Sequence, residues 1–408
     1  MDSFGPALRQ LRRSRGLSLR ALSAQVAYDY GYLGQIERGD RPPTAAVAAA
    51  CDRALDADGA LVGAYHEQAA GEGDMRRRTV LQVLAGMAAA GTSPLVSLEA
   101  LRQGLGQALD ADHDSWRAVV AEYGRAYYTT PPTTLAEQIT ADLTVLQQMI
   151  SVESGVRREG LIRASSQLSV LLAMALSATG DTHLAARWWA SARLAARQSH
   201  DIDTEVLVGA WEMVNAIYAG RPLSRVIVRA DETIALAGTR VNAAVAGVLA
   251  GRAQALALVG RSGDAETAVQ QVARVTDAMP NGVVADEESV FGWPEHRLRH
   301  TESFVHTHTG NTEAAMAAQD RALALYPACQ VRLRTQVQLH HATCLVKRGE
   351  IGDGVRRAAQ LLDELPGEHH TTNLRRVATQ LIAAVPAAEQ RRPEVRDMSA
   401  RLADGPAV

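Results

Sequence analysis

An all-α chain built in two parts is the fold class this sequence predicts, and three observations predict it. Apolar residues make up 47% of the chain but aromatics only 4%. The apolar share is mostly alanine and leucine, with few runs of the β-branched and aromatic residues that strands favour. Within the first 70 residues, short segments with apolar residues three and four apart are closed by Gly16, Gly39 and Pro42-Pro43. That is helical periodicity with helix stops. Beyond residue 100, turn glycines recur about every 40 residues, at Gly180, Gly220, Gly260 or Gly263, Gly310 and Gly349, the period of a helical-hairpin repeat. At 408 residues the chain is too long for one core, so the two patterns belong to separate domains.

The first part can be read helix by helix. Phe4, Leu8 and Leu11 fall at helical spacing among Arg9, Arg12, Arg13 and Arg15. After Gly16, Ser18 stands where an N-cap belongs, before LRALSAQV, whose apolar face is Leu19, Leu22 and Val26. Asp29 caps a third helix, Tyr30 to Arg38, with Leu33 and Ile36 inward. Thr44 caps a fourth, with Val47, Ala48, Cys51 and Leu55 inward, and a shorter fifth follows from Ala60 to Glu67. Five short helices in about 65 residues, with a tight turn between the second and third, form a helix-turn-helix layout.

Two stretches, LRQLRRSRGLSLRALSAQV and YLGQIERGDRPPT, carry a resemblance to the XRE-type (lambda-repressor-like) family. Its signature here is Tyr32-Leu33-x-x-Ile36-Glu37-Arg38-Gly39 with prolines soon after. The resemblance implies that residues 30–38 are a recognition helix lying in the DNA major groove. Tyr30, Gly31, Gly34 and Gln35 would then meet base edges, Gln35 as the amide able to bond adenine twice. Arg20, Arg38 and Arg41 would meet phosphates, Arg12 and Arg13 would add field, and Glu37 would bond backbone within the domain. Three features depart from the family pattern: Leu19 replaces a polar residue, Ala27 replaces the turn glycine, and Gly31 and Gly34 interrupt the recognition helix. A helix tolerates such glycines if its backbone must approach DNA closely. Residues 1–41 hold seven arginines (9, 12, 13, 15, 20, 38, 41) against four acids (2, 29, 37, 40), so a modest basic face is available.

The second part repeats a helical hairpin. Small residues stand at matching places after the glycines, at Ala185 and Ala192, at Ala315 and Ala322, and at Gly354 with Ala358 nearby, and Pro327 and Pro366 close two units. This pattern resembles the tetratricopeptide (TPR) repeat in a loose form. The expected organisation is a helix-turn-helix domain over 1–70, a linker helix over 71–100, a TPR-like α-solenoid over 101–390 and a loose tail over 391–408. An XRE-type head on a TPR-like body resembles actinobacterial regulators of this design and the peptide-pheromone receptor regulators. The resemblance implies a dimeric DNA-binding transcriptional regulator. Its partners would be an inverted-repeat operator in double-stranded DNA, a second copy of itself, and a peptide or small-molecule effector held by the body. The alternative is a TPR-type interaction scaffold with a weak or vestigial head.

The remaining chemistry is sparse. Net charge is −3, which excludes a polycation. Three widely spaced cysteines, Cys51, Cys329 and Cys344, fit a reducing, cytoplasmic compartment better than a disulfide framework. The stretch MRRRTVLQVLAGMAAAG, 75–91, holds about a dozen apolar residues, short of the ~20 that span a bilayer, so no membrane partner is expected. No GxSxG, phosphate-binding loop, GxGxxG after a strand or CxxC pair occurs, so neither an enzyme nor a cofactor is expected. In WPEHRLRHTESFVHTHTGN, His296 and His300 lie four apart on one helical face, with His306 and His308 beyond. Without a third ligand at a motif spacing, no metal is expected. Asn215, Asn242, Arg252, Glu295, His296, Arg299, His300 and Gln336 are the groove candidates, because they sit on the first helices of their hairpins. Trp188, Trp189 and Trp211 read as core, with one of them available to line a groove.

Overall fold

The computed structural model describes residues 4–39, 41, 43–65 and 115–403; these contain helices and turns but no strand. The chain divides into two compact units, whose described parts are 4–65 and 115–403.

The first unit holds α1 (Phe4–Ser14), α2 (Leu19–Val26), α3 (Tyr30–Arg38) and α4 (Ala45–Ala54), then α5, described over residues 60–65. Each internal helix starts on the cap its sequence offers. Ser18 Oγ accepts from Ala21 N at 3.1 Å, Asp29 Oδ1 from Gly31 N at 2.8 Å and Tyr32 N at 3.1 Å, and Thr44 Oγ1 from Val47 N at 3.3 Å. Such caps satisfy N–H groups that no helix can pair internally. α5 is held from α4 instead: Asp52 accepts from Gly59 N and Leu61 N at 2.9 and 2.8 Å. Phe4, Leu8, Leu22, Leu33, Ile36, Cys51, Leu55 and Leu61 form the core. Ala27 closes α2 in the left-handed region, at φ 57°, where a residue with a Cβ costs about 1 kcal/mol or more relative to glycine.

Arg12 departs from its expected role. Its side chain is buried rather than adding field at the surface. Nε and Nη2 donate to the two carboxylate oxygens of Glu37 at 2.6 and 2.8 Å, and Nη1 donates to Leu17 O at 2.7 Å. Glu37 therefore binds the unit together through an arginine of α1, not through backbone.

The second unit begins with α6 (Ser115–Ala126), α7 (Pro132–Val152), α8 (Gly155–Thr179) and α9 (Thr182–Gln198). It continues through α10 (Ile202–Tyr218), α11 (Leu223–Ala237), α12 (Ala243–Leu258) and α13 (Ser262–Asp277). After the short α14 (Asn281–Val284) come α15 (Glu295–Thr309), α16 (Thr312–Leu325), α17 (Val331–Lys347) and α18 (Ile351–Glu364). The last helices are α19 (Thr372–Ala383) and α20 (Pro393–Ala403). Gly180 shows why the repeat needs its glycine: at φ 95° it turns α8 into α9 and frees Asp181 to cap α9 from Leu184 N at 3.1 Å. Gly220, Gly260, Gly310 and Gly349 hold the same left-handed turn. Ala185, Ala192, Ala315, Ala322 and Ala358 are buried between paired helices.

The inner row runs α8, α10, α12, α15, α17, α19, each packed on the next. α19 then meets α8 and α10 again, with Thr372 Oγ1 donating to Ala178 O at 3.3 Å. The row therefore closes on itself around a concave face. The segment after α6 meets the inner row where Arg332 of α17 donates to Tyr127 O, and α6 itself is tied to the segment before α15, Val290 N donating to Gly124 O at 2.8 Å. α8 is long and apolar enough to cross a bilayer, but 78% of its apolar window is buried among its neighbours. Residues 393–403, expected as loose tail, form a helix with Val395 and Met398 in the terminal core. The expected linker helix falls outside the described residues.

Candidate functional site

Two places bring chemically capable side chains together. The first is the outer face of α3. Asp29 starts the helix, and Tyr30, Gly31, Gln35 and Arg38 are exposed along it. Arg20, at the start of α2, sets its guanidinium 5.2 Å from the Tyr30 ring centre, and Arg41 lies 4.9 Å from that of Tyr32. Such contacts contribute about 0.5–1 kcal/mol at exposed sites and hold two flexible cations beside the first turn of α3. Tyr30 and Tyr32 thus order arginines, and Tyr32 together with Tyr28 also packs against the core.

The glycines of α3 divide. Gly31 lies under its cap, since a Cβ there would stand 2.9 Å from Asp29 Oδ1. Gly34 is buried, and a Cβ would sit at ordinary contact distance, 3.4 Å from Arg38 Nη1 and 3.5 Å from Leu19 Cδ1. Gly34 therefore faces α2 and offers no surface to a base edge, unlike its expected role. Gly34→Ala is expected to stabilise the unit by about 0.5–1 kcal/mol, the usual glycine penalty inside a helix. Thermal unfolding of the variant checks this, and a loss of stability would show that the Leu19 contact cannot give.

The second place is a cavity of about 150 Å³ within the second unit, lined by α8, α10, α12, α15, α17, α19, the segment after α6 and the segment before α15. The whole chain has 5 Trp, 9 Tyr and 3 Phe, yet seven of them line this one space: Tyr127, Tyr128, Trp211, Tyr218, Phe291, Trp293 and Tyr326. Arg297 enters from α15. Its guanidinium lies 5.6, 5.5 and 6.0 Å from the rings of Tyr128, Trp211 and Trp293. It donates to Val290 O at 2.9 Å, to Ser289 O at 3.1 Å and to the Tyr128 hydroxyl. Among the described residues no Asp or Glu lines the cavity.

Burial sets the protonation states. Tyr127 is pushed up to about 12 by burial, and Tyr218 and Tyr326 are raised well above the usual phenol range by the same cause. His300 is lowered to about 4 by burial and then by Arg297. Its Nδ1 and the Tyr326 hydroxyl are 2.9 Å apart. At neutral pH the wall is therefore uncharged apart from guanidinium.

Of the residues expected to line a groove, Asn215, His300 and Gln336 line this cavity. His296 stacks on Tyr326, with ring centres 4.3 Å apart, behind the lining. Asn242 caps α12 by accepting from Val245 N at 3.0 Å and donates to Asp203. Arg252 pairs with Asp231 at 2.6 Å. Glu295 and Arg299 join Glu302 and Arg321 in an ion-pair network outside the cavity. Trp211 lines the cavity, Trp189 is buried in its hairpin, and Trp188 is half-buried. Among the described residues no group of three or more His, Cys, Asp or Glu is placed to hold a metal ion. Sequence reasoning missed Arg297 and Gln254. The signal available was the pairing of scarce aromatics at Tyr127-Tyr128 and Phe291-Gly292-Trp293.

A family model described as a helix-turn-helix domain matches residues 3–64. None of the curated proteins compared matches the sequence. Among solved structures, the chain is similar to Bacillus thuringiensis PlcR, crystallised in complex with the peptide PapR7 and DNA. The identity is 11%, the match covers 89% of this chain and 95% of that chain, and the TM-score is 0.29.

Proposed function

We propose that the protein is a DNA-binding transcriptional regulator that acts as a homodimer, with its helical-hairpin body as the sensing and dimerising part. The observation that carries the reading is the exposed face of α3 within a helix-turn-helix domain. There Tyr30, Gly31, Gln35 and Arg38 are exposed, with the exposed Arg20 and Arg41 beside them. Two such heads one helical turn of DNA apart would read an inverted repeat. An effector held by the body would change operator affinity only through unequal affinity for the bound and free arrangements of the dimer.

The roles separate by experiment. Gln35→Ala is expected to relax preference at one base pair by about 1–3 kcal/mol. Arg20→Ala is expected to weaken all sequences alike and to flatten the dependence of log affinity on log salt by about one unit. Titration of Gln35→Ala on operators that differ at single base pairs, and of Arg20→Ala on one operator at several salt concentrations, checks this. An unchanged preference in the first and an unchanged slope in the second would favour the interaction-scaffold reading.

A further inference from the structure

The aromatic cavity contains polar groups that the protein itself leaves unanswered. Asn215 is 5% exposed; its Nδ2 donates to Trp211 O at 2.9 Å, which fixes the amide and leaves Oδ1 without a partner. Gln254, also 5% exposed, leaves Oε1 without a partner. Both side chains line the cavity. A buried acceptor left unpaired costs about 1–3 kcal/mol, and native structures hold few of them. Arg297 adds a third demand: it is buried and bound only to neutral oxygens and ring faces. Arg332, buried beside it on α17, likewise meets Tyr127 O and the Tyr127 ring. Asp286, whose field reaches Tyr128, accepts from Ser289 N in its own turn.

These demands have one chemistry in common. Two acceptors call for a hydroxyl or N–H donor, the guanidinium calls for an anion, and the ring faces call for a planar apolar body. The volume sets the size. A cavity of about 150 Å³ holds a single small ring. We propose that this cavity binds a small planar carboxylic acid that also carries a hydroxyl or N–H donor. The carboxylate would lie on Arg297, the donor would reach Asn215 and Gln254, and the ring would lie among Trp211, Phe291 and Trp293. The proposal rests on the sensing role of the body proposed above and names the ligand class for it.

The test uses the full-length protein at pH 7.5 with 4-hydroxybenzoate and indole-3-carboxylate as probes, and with 4-hydroxybenzyl alcohol and tyramine as neutral and cationic controls. At a concentration about 100 times its Kd, a bound acid is expected to raise the unfolding midpoint by ~5 °C, with the controls giving little shift. If neither acid raises the midpoint, or if the alcohol matches the acids, the proposal is overturned. Gln254→Leu supplies a second, independent readout. Removing an unpaired buried acceptor is expected to raise the midpoint of the unliganded protein and to weaken acid binding at least tenfold. A lower midpoint would mean that the amide is bonded within the fold, which also overturns the assignment. Operator affinity is measured on the same samples. Acid binding without a change in operator affinity keeps the cavity assignment and removes its regulatory role. Operator binding with no acid binding keeps the regulator and removes the cavity assignment.

Discussion

Glu37→Ala is expected to unfold the N-terminal unit while leaving the second unit folded. Glu37 answers a guanidinium that has almost no access to water: Arg12 gives it two bonds, at 2.6 and 2.8 Å. The bond to Glu37 also raises Arg12 above its ordinary value. Removing one member of a buried pair leaves the other charged and unpaired, at a cost of about 3–5 kcal/mol. A domain of about 60 residues has little more than that in reserve. The pair also stands at a close seam, where a Cβ on Gly5 of α1 would press on the Ile36 and Glu37 carbonyls. Hydrogen exchange is the suitable probe, since all five tryptophans lie beyond residue 115. The expected outcome is complete loss of protection over residues 4–65 with native protection over 115–403. Arg12→Met combined with Glu37→Met should recover most of the loss, because replacing both partners removes the unpaired charge. Retained protection in Glu37→Ala would show that the pair is not what holds α1 to α3.

The second unit is expected to lose stability steeply as pH falls from about 6.5 to about 4. His296 is lowered to about 3 by burial, then by Arg297 and His300. His300 is lowered to about 4 by burial and Arg297, and His308 to about 4 by burial and Lys347. His340, between them, is also lowered by burial. In each case the folded value lies below the unfolded one. Above pH 6.5 both states are neutral and the stability is fully present. Below it the unfolded chain takes up protons that the folded unit refuses, so stability falls until the folded values are reached. Each histidine then costs roughly 2 kcal/mol between pH 6.5 and pH 5, at ~1.4 kcal/mol per pH unit. Urea unfolding followed by tryptophan fluorescence at pH 7.5 and at pH 5 checks this. Equal unfolding free energies at the two values would mean that these histidines are not held neutral.

Local features of the fold were legible in the sequence, and convergent ones were not. Ser18, Asp29 and Thr44 are read as caps because a cap acts within three residues. Gly180 and its counterparts are read as turns because a left-handed residue favours glycine wherever it falls. Arg12 was misjudged because its partner lies 25 positions on, and nothing in its own neighbourhood marks it as buried. The cavity shows the same limit more finely. Arg252 was chosen as a groove residue, whereas Gln254, two positions on, is the one that lines it. Glu295 and Arg299 were chosen, whereas Arg297 between them is the one that enters. Helix membership was right in each case, but two residues along a helix is a rotation of about 200°. Choosing the inward face requires knowing how the hairpins close, and that depends on α19 returning to α8 and α10.

Selection of bound sites from random DNA by the full-length protein, at two salt concentrations, tests the central claim most directly. A dimer carrying two α3 helices predicts enrichment of an inverted repeat with half-sites about one helical turn apart. Affinity for that repeat should fall steeply with salt. Weak binding with no enriched sequence at either salt concentration would contradict the account of this protein as a sequence-reading regulator.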